Sequence, residues 1–232
     1  MKFETKRKLL HIVYPTRCPS CNGYIGANDR FCAGCYSKFI RYSGNFQIPG
    51  AASFSSVFLY DDNIHPAITT LKNGVCGNAP YALGSELSEL LISNSTARKV
   101  DVIIPVPMTR AERKRRGYNQ SLLLAKTVSR IIGKPLLRKT AAKIKATRPQ
   151  KSLSMAERRK NIIGAFAIVD AESIRGKRVL LVDDICTTGS TLGELTRLVM
   201  ENGALEVHCA CCCKTADLHL ESRRGARAGI TR

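Results

Sequence analysis

The stretch from Lys177 to Leu195, KRVLLVDDICTTGSTLGEL, runs from a series of Val and Leu into two aspartates and then a turn of Thr, Thr, Gly, Ser and Thr. An unbroken apolar, β-branched run suits a strand buried on both faces, as in a parallel sheet. In open α/β sheets, ligands sit beyond the carboxyl ends of the strands, where the chain leaves for helices. Asp183 and Asp184 fall at that edge, and the turn from Cys186 to Thr191 predicts a helix starting at about Thr191 to Gly193. The amides and dipole of such a helix converge on a point suited to a phosphate. The hydroxyls of Thr187, Thr188, Ser190 and Thr191 can donate to phosphate oxygens, and Gly189 permits close approach and a positive φ. One step upstream, the two carboxylates are placed to accept hydrogen bonds from a sugar diol, which makes a site for a ribose 5-phosphate. The plainer alternative is a strand and capped helix with solvated aspartates. A phosphorylatable aspartate of receiver type does not call for the phosphate-cradling turn.

Strand and helix alternate around this element. VDVIIPVP reads as a buried strand stopped by Pro105 and Pro107, and SLLLAKTVSRIIG as a helix with Leu122, Leu123, Ala125 and Val128 facing inward. PLLRKT is a candidate second strand, KRVLLVDD a third and LEVHCACCCKT a fourth, with the helix GELTRLVMENG between the last two. The rhythm predicts an α/β fold, an open, mostly parallel sheet flanked by helices. Strand alternation splits the cysteines of HCACCC between two faces, so they are expected in the core.

Ahead of this core, residues 17–36 read RCPSCNGYIGANDRFCAGCY, two CxxC knuckles separated by ten residues. Cys18, Cys21, Cys32 and Cys35 can complete a tetrahedral S₄ site, a structural zinc with no coordination position left for substrate. An iron–sulfur centre or redox dithiols are the alternatives. Residues 37–56 read as a connector, VFLY as a strand, IHPAITTLKNG as a helix with Ile64, Ile68 and Leu71 on one face and Lys72 at its end, and YALGSELSELLIS as a second helix. The expected division is an N-terminal zinc-ribbon-like module over 1–45, a hood-like segment over 50–100, the core over 100–216 and a loose tail over 217–232.

The formal charge is +19, and residues 101–160 hold 17 Lys and Arg against 3 Asp and Glu. Such concentration fits a loop that holds phosphates or a surface that attracts nucleic acid, with a solvated basic face as the bland alternative. The stretch between Lys139 and Asn161 is too long and too basic for an ordinary connection and reads as a lid closing over an anion. No apolar run approaches the roughly 20 residues of a membrane helix, and no signal-peptide cleavage site is recognisable, so a soluble, cytoplasmic protein is expected.

Residues Val179 to Thr191, VLLVDDICTTGST, resemble the thirteen-residue signature of type I phosphoribosyltransferases. The wider layout, double knuckle, LKNG, PVP with RRGYNQ, then RPQKSLSMAERRKNIIGAF, resembles the ComF family of competence-associated phosphoribosyltransferase-like proteins, collinear from about residue 8 to residue 215. The resemblance implies that Asp183 and Asp184 hold the ribose hydroxyls of phosphoribosyl pyrophosphate, that residues 187–191 hold its 5′-phosphate, and that magnesium binds the pyrophosphate. It also implies a pyrophosphate loop from Pro105-Val106-Pro107 to Arg110 and a mobile lid around Gln150 to Asn161. Displacement of pyrophosphate at ribose C1 needs charge stabilisation on the leaving group more than a strong base. Arg110, Arg113, Arg115, Arg116, Lys151 and Arg158 are the candidates to surround it. The run RGYNQ has a plainer reading as the basic N-terminus of the following helix.

Three functions follow from these expectations. The first is binding of phosphoribosyl pyrophosphate with magnesium and transfer of its phosphoribosyl group to a nitrogenous acceptor. The second is a non-catalytic accessory of DNA uptake that binds single-stranded DNA or a helicase partner. Base-stacking aromatics are sparse for that role, with Tyr118 alone inside the basic stretch. The third is a phosphoribosyl ligand sensor controlling a partner.

Overall fold

The computed structural model describes residues 3–74, 77–145 and 162–216. Its centre is a four-stranded, all-parallel sheet ordered β1-β6-β5-β2, formed by β1 (Ser53–Tyr60), β2 (Val102–Pro105), β5 (Arg178–Cys186) and β6 (Glu206–Thr215). A second, antiparallel ribbon pairs β3 (Ala141–Lys143) with β4 (Phe166–Ile168). It forms the stem of the stretch read as a lid, whose residues 146–161 lie outside the described residues.

The period-2 geometry of the strands divides the core into two layers. From β5, Leu180 and Val182 enter the layer built with α3 (His65–Asn73), α4 (Ala79–Ser93) and α7 (Gln120–Ile132). Val179 and Leu181 enter the other, covered by α8 (Ser190–Glu201) and by Ile162, Ala165 and Phe166. Of the cysteines of β6, Cys209 and Cys211 join the second layer and Cys212 and Cys213 the first, all essentially inaccessible. Burial pushes their thiols upward, so they act as small core hydrophobes, as expected.

Several sequence expectations shift. β5 holds both aspartates, as KRVLLVDD predicts, and runs on past them to Cys186. PLLRKT contributes a single parallel bridge, Leu136 to Ile103, held by Ile103 N–H to the Pro135 carbonyl and Leu137 N–H to the Ile103 carbonyl. Pro135 has no N–H to extend a ladder, and the chain leaves for β3. In α7 the buried face is Ser121, Leu124, Ala125 and Val128, while Leu122 and Leu123 are half-buried. The Asn119 side chain caps the helix by accepting from the Leu122 amide, and α7 packs against α4. There Gly84 is required, since a Cβ would lie 2.6 Å from Thr127 Cβ and 3.3 Å from the Leu124 carbonyl oxygen.

The N-terminal segment consists of α1 (Phe3–Val13), the knuckles and the short α2 (Ala33–Tyr36), and it packs on α4. Buried Glu86 accepts from Arg30 at 3.0 Å, from Arg41 at 2.8 Å and from the Tyr36 hydroxyl at 3.0 Å. Arg30 also pairs with Glu89, and Asn78 Nδ2 donates to the carbonyls of Arg17, Asp29 and Arg30. Cys18, Phe31 and Phe58 share one apolar cluster with the sheet. The remaining helices, α5 (Thr96–Lys99) and α6 (Arg110–Arg116), flank β2 in sequence. No described helix is long and apolar enough to cross a membrane.

Candidate functional site

At the carboxyl end of β5, Asp183 is buried with its Oδ1 accepting from the Ser121 hydroxyl at 2.8 Å and from the Asp184 amide at 2.9 Å. Burial, and then the neighbouring Asp184 charge, raise its carboxyl well above the usual range. Asp184 is more accessible. Its Oδ1 accepts from the Ile185 amide at 2.9 Å, and its Oδ2 lies 3.6 Å from Lys72 Nζ.

The chain then turns sharply into α8, which begins at Ser190, slightly earlier than expected, with Gly189 as N-cap at φ 75°. This φ is the left-handed region, where glycine is the least strained residue. Space also demands it, because a Cβ would meet Ile48 Cδ1 at 2.6 Å and the Phe46 ring at 3.0 Å. Thr188 Oγ1 and Ser190 Oγ lie 2.9 Å apart, and Thr187 and Thr191 complete the rim of the depression that opens here. Amides of the first helical turn, a glycine and four hydroxyls line this depression, with the acid pair directly upstream.

The basic residues divide into two groups. Arg110, Arg113, Arg115 and Arg116 lie on α6, all exposed, beyond the carboxyl end of β2, the strand beside β5. The Thr109–Glu112 capping box starts this helix, and Lys143 of β3 pairs with Glu112 at 2.8 Å. Asn119 Nδ2 ties the PVP turn to α7 by donating to the Val106 carbonyl at 2.9 Å. Lys151 and Arg158 lie outside the described residues.

Four residues at the site carry no local sign of a role in it: Ser121, Lys72, Phe46 and Ile48. Lys72 at least belongs to the LKNG run. Phe46 and Ile48 sit in a stretch that reads as a connector, and only their packing on Gly189 reveals their place.

The four cysteine sulfurs of the knuckles lie within 4.8 Å of one another. Cys21 Sγ and Cys32 Sγ are 3.7 Å apart, close to the edge of about 3.8 Å in a tetrahedron of Zn–S bonds of about 2.3 Å. The Cys18 amide donates to the Gly23 carbonyl and the Tyr36 amide to the Cys32 carbonyl, which folds each CxxC so its sulfurs converge. The donor set therefore fits zinc.

Residues 86–231 match the phosphoribosyl transferase domain family. The chain is 41% identical over 209 residues to Competence protein F of Haemophilus influenzae, covering 85% of this chain and 90% of that protein. It is 36% identical over 207 residues to DNA utilization protein YhgH of Escherichia coli K12, covering 86% and 85%. To Competence protein ComFC of Bacillus subtilis it is 29% identical over 150 residues, covering 64% and 58%. With a type I phosphoribosyltransferase fold carrying an N-terminal cysteine tetrad, the chain belongs to the competence protein F family of phosphoribosyl transferase-domain proteins.

Proposed function

We propose that this protein binds phosphoribosyl pyrophosphate at the β5–α8 turn and transfers its phosphoribosyl group to a nitrogenous acceptor. The observation that carries the reading is the continuity of Asp183 and Asp184 with a glycine-led helix start lined by Thr188 and Ser190. The 5′-phosphate takes the amides and hydroxyls of residues 187–191, and the ribose diol takes the acid pair. Arg110 and Arg116 on α6, with Lys151 and Arg158, supply positive charge for the pyrophosphate. Magnesium would be carried on the oxygens of the pyrophosphate, where it would neutralise leaving-group charge.

Calorimetric titration with phosphoribosyl pyrophosphate and magnesium tests the binding. Saturable binding is expected, with loss in the Asp183→Asn, Asp184→Asn double variant, and a wild-type protein that takes up neither this ligand nor ribose 5-phosphate would overturn the reading. Pyrophosphate release with an amine or base separates transfer from sensing, in which the ligand binds without turnover.

A second reading is favoured by α6, where Arg110, Arg113, Lys114, Arg115 and Arg116 stand exposed within seven residues. A helix of this charge suits contacts to a single-stranded DNA backbone, in keeping with relatives named for competence and DNA utilization. Affinity for an oligonucleotide should fall steeply with salt, and removing the α6 charges should flatten that slope. Negligible binding at low ionic strength would exclude it.

A further inference from the structure

Lys72 occupies the last turn of α3, and among the described lysine and arginine ion pairs its contact with Asp184 is the longest, 3.6 Å against 2.8 Å for Lys143 and Glu112. The contact engages Asp184 Oδ2, since Oδ1 already accepts from the Ile185 amide. That oxygen is the one a sugar diol would need.

Lys72 is held there by a specific device. Gly74 ends α3 at φ 70°, and a Cβ on it would meet the Tyr118 ring at 2.9 Å. The Tyr118 hydroxyl in turn donates to the Leu71 carbonyl at 2.7 Å. Tyr118 thus clamps the residues on both sides of Lys72, and it belongs to the turn that joins α6 to α7. Asp184 is largely shielded, with 15% of its side chain accessible, while Lys72 keeps 34%. The carboxylate is fixed, and the ammonium, on a long flexible stem, is the partner able to move.

We propose that Lys72 is a displaceable counter-ion for the acid pair: it occupies Asp184 in the free protein, yields it to the ribose diol, and then contacts an anionic substituent at C1 of the sugar. The inference rests on the phosphoribosyl reading above and deepens it. It makes the site selective for a 5-phosphorylated ribose that also carries an anion at C1. A ligand without that anion breaks the ion pair and gains no replacement for it. A plain surface ion pair contributes little and gives no such preference.

The test compares binding of phosphoribosyl pyrophosphate and ribose 5-phosphate to wild type, Lys72→Met and Lys72→Arg by calorimetry, with magnesium in every arm. Wild type should prefer the pyrophosphate. Lys72→Met should reduce that preference at least tenfold, with ribose 5-phosphate bound equally well or more tightly, and Lys72→Arg should retain it. Melting curves establish that each variant is folded, and Lys72→Gln replaces Lys72→Met if the latter is not. If wild type binds both ligands and the neutral variant keeps the same preference, or weakens both ligands equally, the counter-ion role is overturned and the phosphoribosyl reading stands. If wild type binds neither, both fall.

Discussion

The Ser121 hydroxyl of α7 donates to Asp183 Oδ1 at 2.8 Å, joining residues 62 positions apart in the chain beneath the candidate ribose site. With the Asp184 amide, which donates to the same oxygen at 2.9 Å, it steadies a buried carboxyl that has a second carboxyl next to it. Burial and the Asp184 charge raise the Asp183 pKa to about 8, against the ordinary 3.8, while the Ser121 bond pulls the other way.

The sign of the resulting pH dependence follows from linkage. In the unfolded chain Asp183 loses its proton near pH 4, whereas the folded protein keeps it until pH approaches 8. Between those values the unfolded state binds fewer protons, so this group makes stability fall as pH rises, by at most about 1.4 kcal/mol per pH unit. Asp183→Asn removes the titration while keeping an oxygen for the Ser121 and Asp184 donors. Urea unfolding from pH 4.5 to 8.5 should therefore show the variant gaining on wild type as pH rises. Parallel profiles would show that Asp183 titrates normally.

Metal content and stability are expected to be linked through Glu86. The tetrad orders the knuckles that present Arg30 and Tyr36 to that carboxylate, which is 2% exposed. Without the ordered knuckles, a buried charge loses partners, and that is costly. Elemental analysis should find one zinc per chain, and Cys32→Ser should abolish it and lower the melting temperature. Iron with visible charge-transfer absorbance would instead identify a cluster.

Much of this arrangement was legible in the sequence because its signals are local. The apolar run before Asp183 names a buried strand, and the Thr-Thr-Gly-Ser-Thr turn names a helix start, since both depend on neighbours in the chain. Only VFLY of β1 reads as strand in the sequence, because Ser53, Ser55 and Ser56 resemble a connector. They are strand because β6 pairs with them, Ser53 opposite His208, whose Nδ1 lies 2.7 Å from Ser53 Oγ. Ser121, Lys72, Phe46 and Ile48 share the same character: each gains its role from a residue distant in sequence, which residue type and periodicity do not encode. Ala125 and Val128 of α7 are buried as the periodicity predicts, whereas Leu122 and Leu123 are only half-buried, because the contact with α4 is made on the side of Leu124 and Thr127 where Gly84 approaches.

The α4–α7 crossing yields a prediction with its own control. Gly84→Val places carbon atoms where Thr127 already stands, and overpacking of this kind costs about 1–3 kcal/mol. Gly193 on α8 is also helical, but its nearest neighbours to a Cβ are Ile48 and Pro49 at 3.9 and 4.0 Å. Gly193→Ala should thus stabilise by roughly 0.5–1 kcal/mol through the unfolded chain and helix propensity. Chemical denaturation of both variants checks the pair. Equal effects would mean the helices do not approach as closely as Gly84 requires.

The glycine turn and the acid pair are separable by substitution. Gly189→Ala adds one methyl group at φ 75°, directed at Ile48 and Phe46. The left-handed conformation alone costs a non-glycine residue about 1–2 kcal/mol, and the clash forces either the turn or the 46–48 segment to move. Amides that converge on a phosphate lose alignment when the turn shifts, whereas the Asp183 and Asp184 carboxyls remain anchored by Ser121 and by their own strand. Affinity for any 5-phosphorylated ribose should therefore fall at least tenfold, while the pH dependence of stability attributed to Asp183 persists. Trimming the obstruction with Ile48→Ala in the Gly189→Ala background should recover part of the binding, because it relieves the clash and leaves the backbone strain. Calorimetry on the single and double variants measures both, and full binding in Gly189→Ala alone would remove this turn from the site.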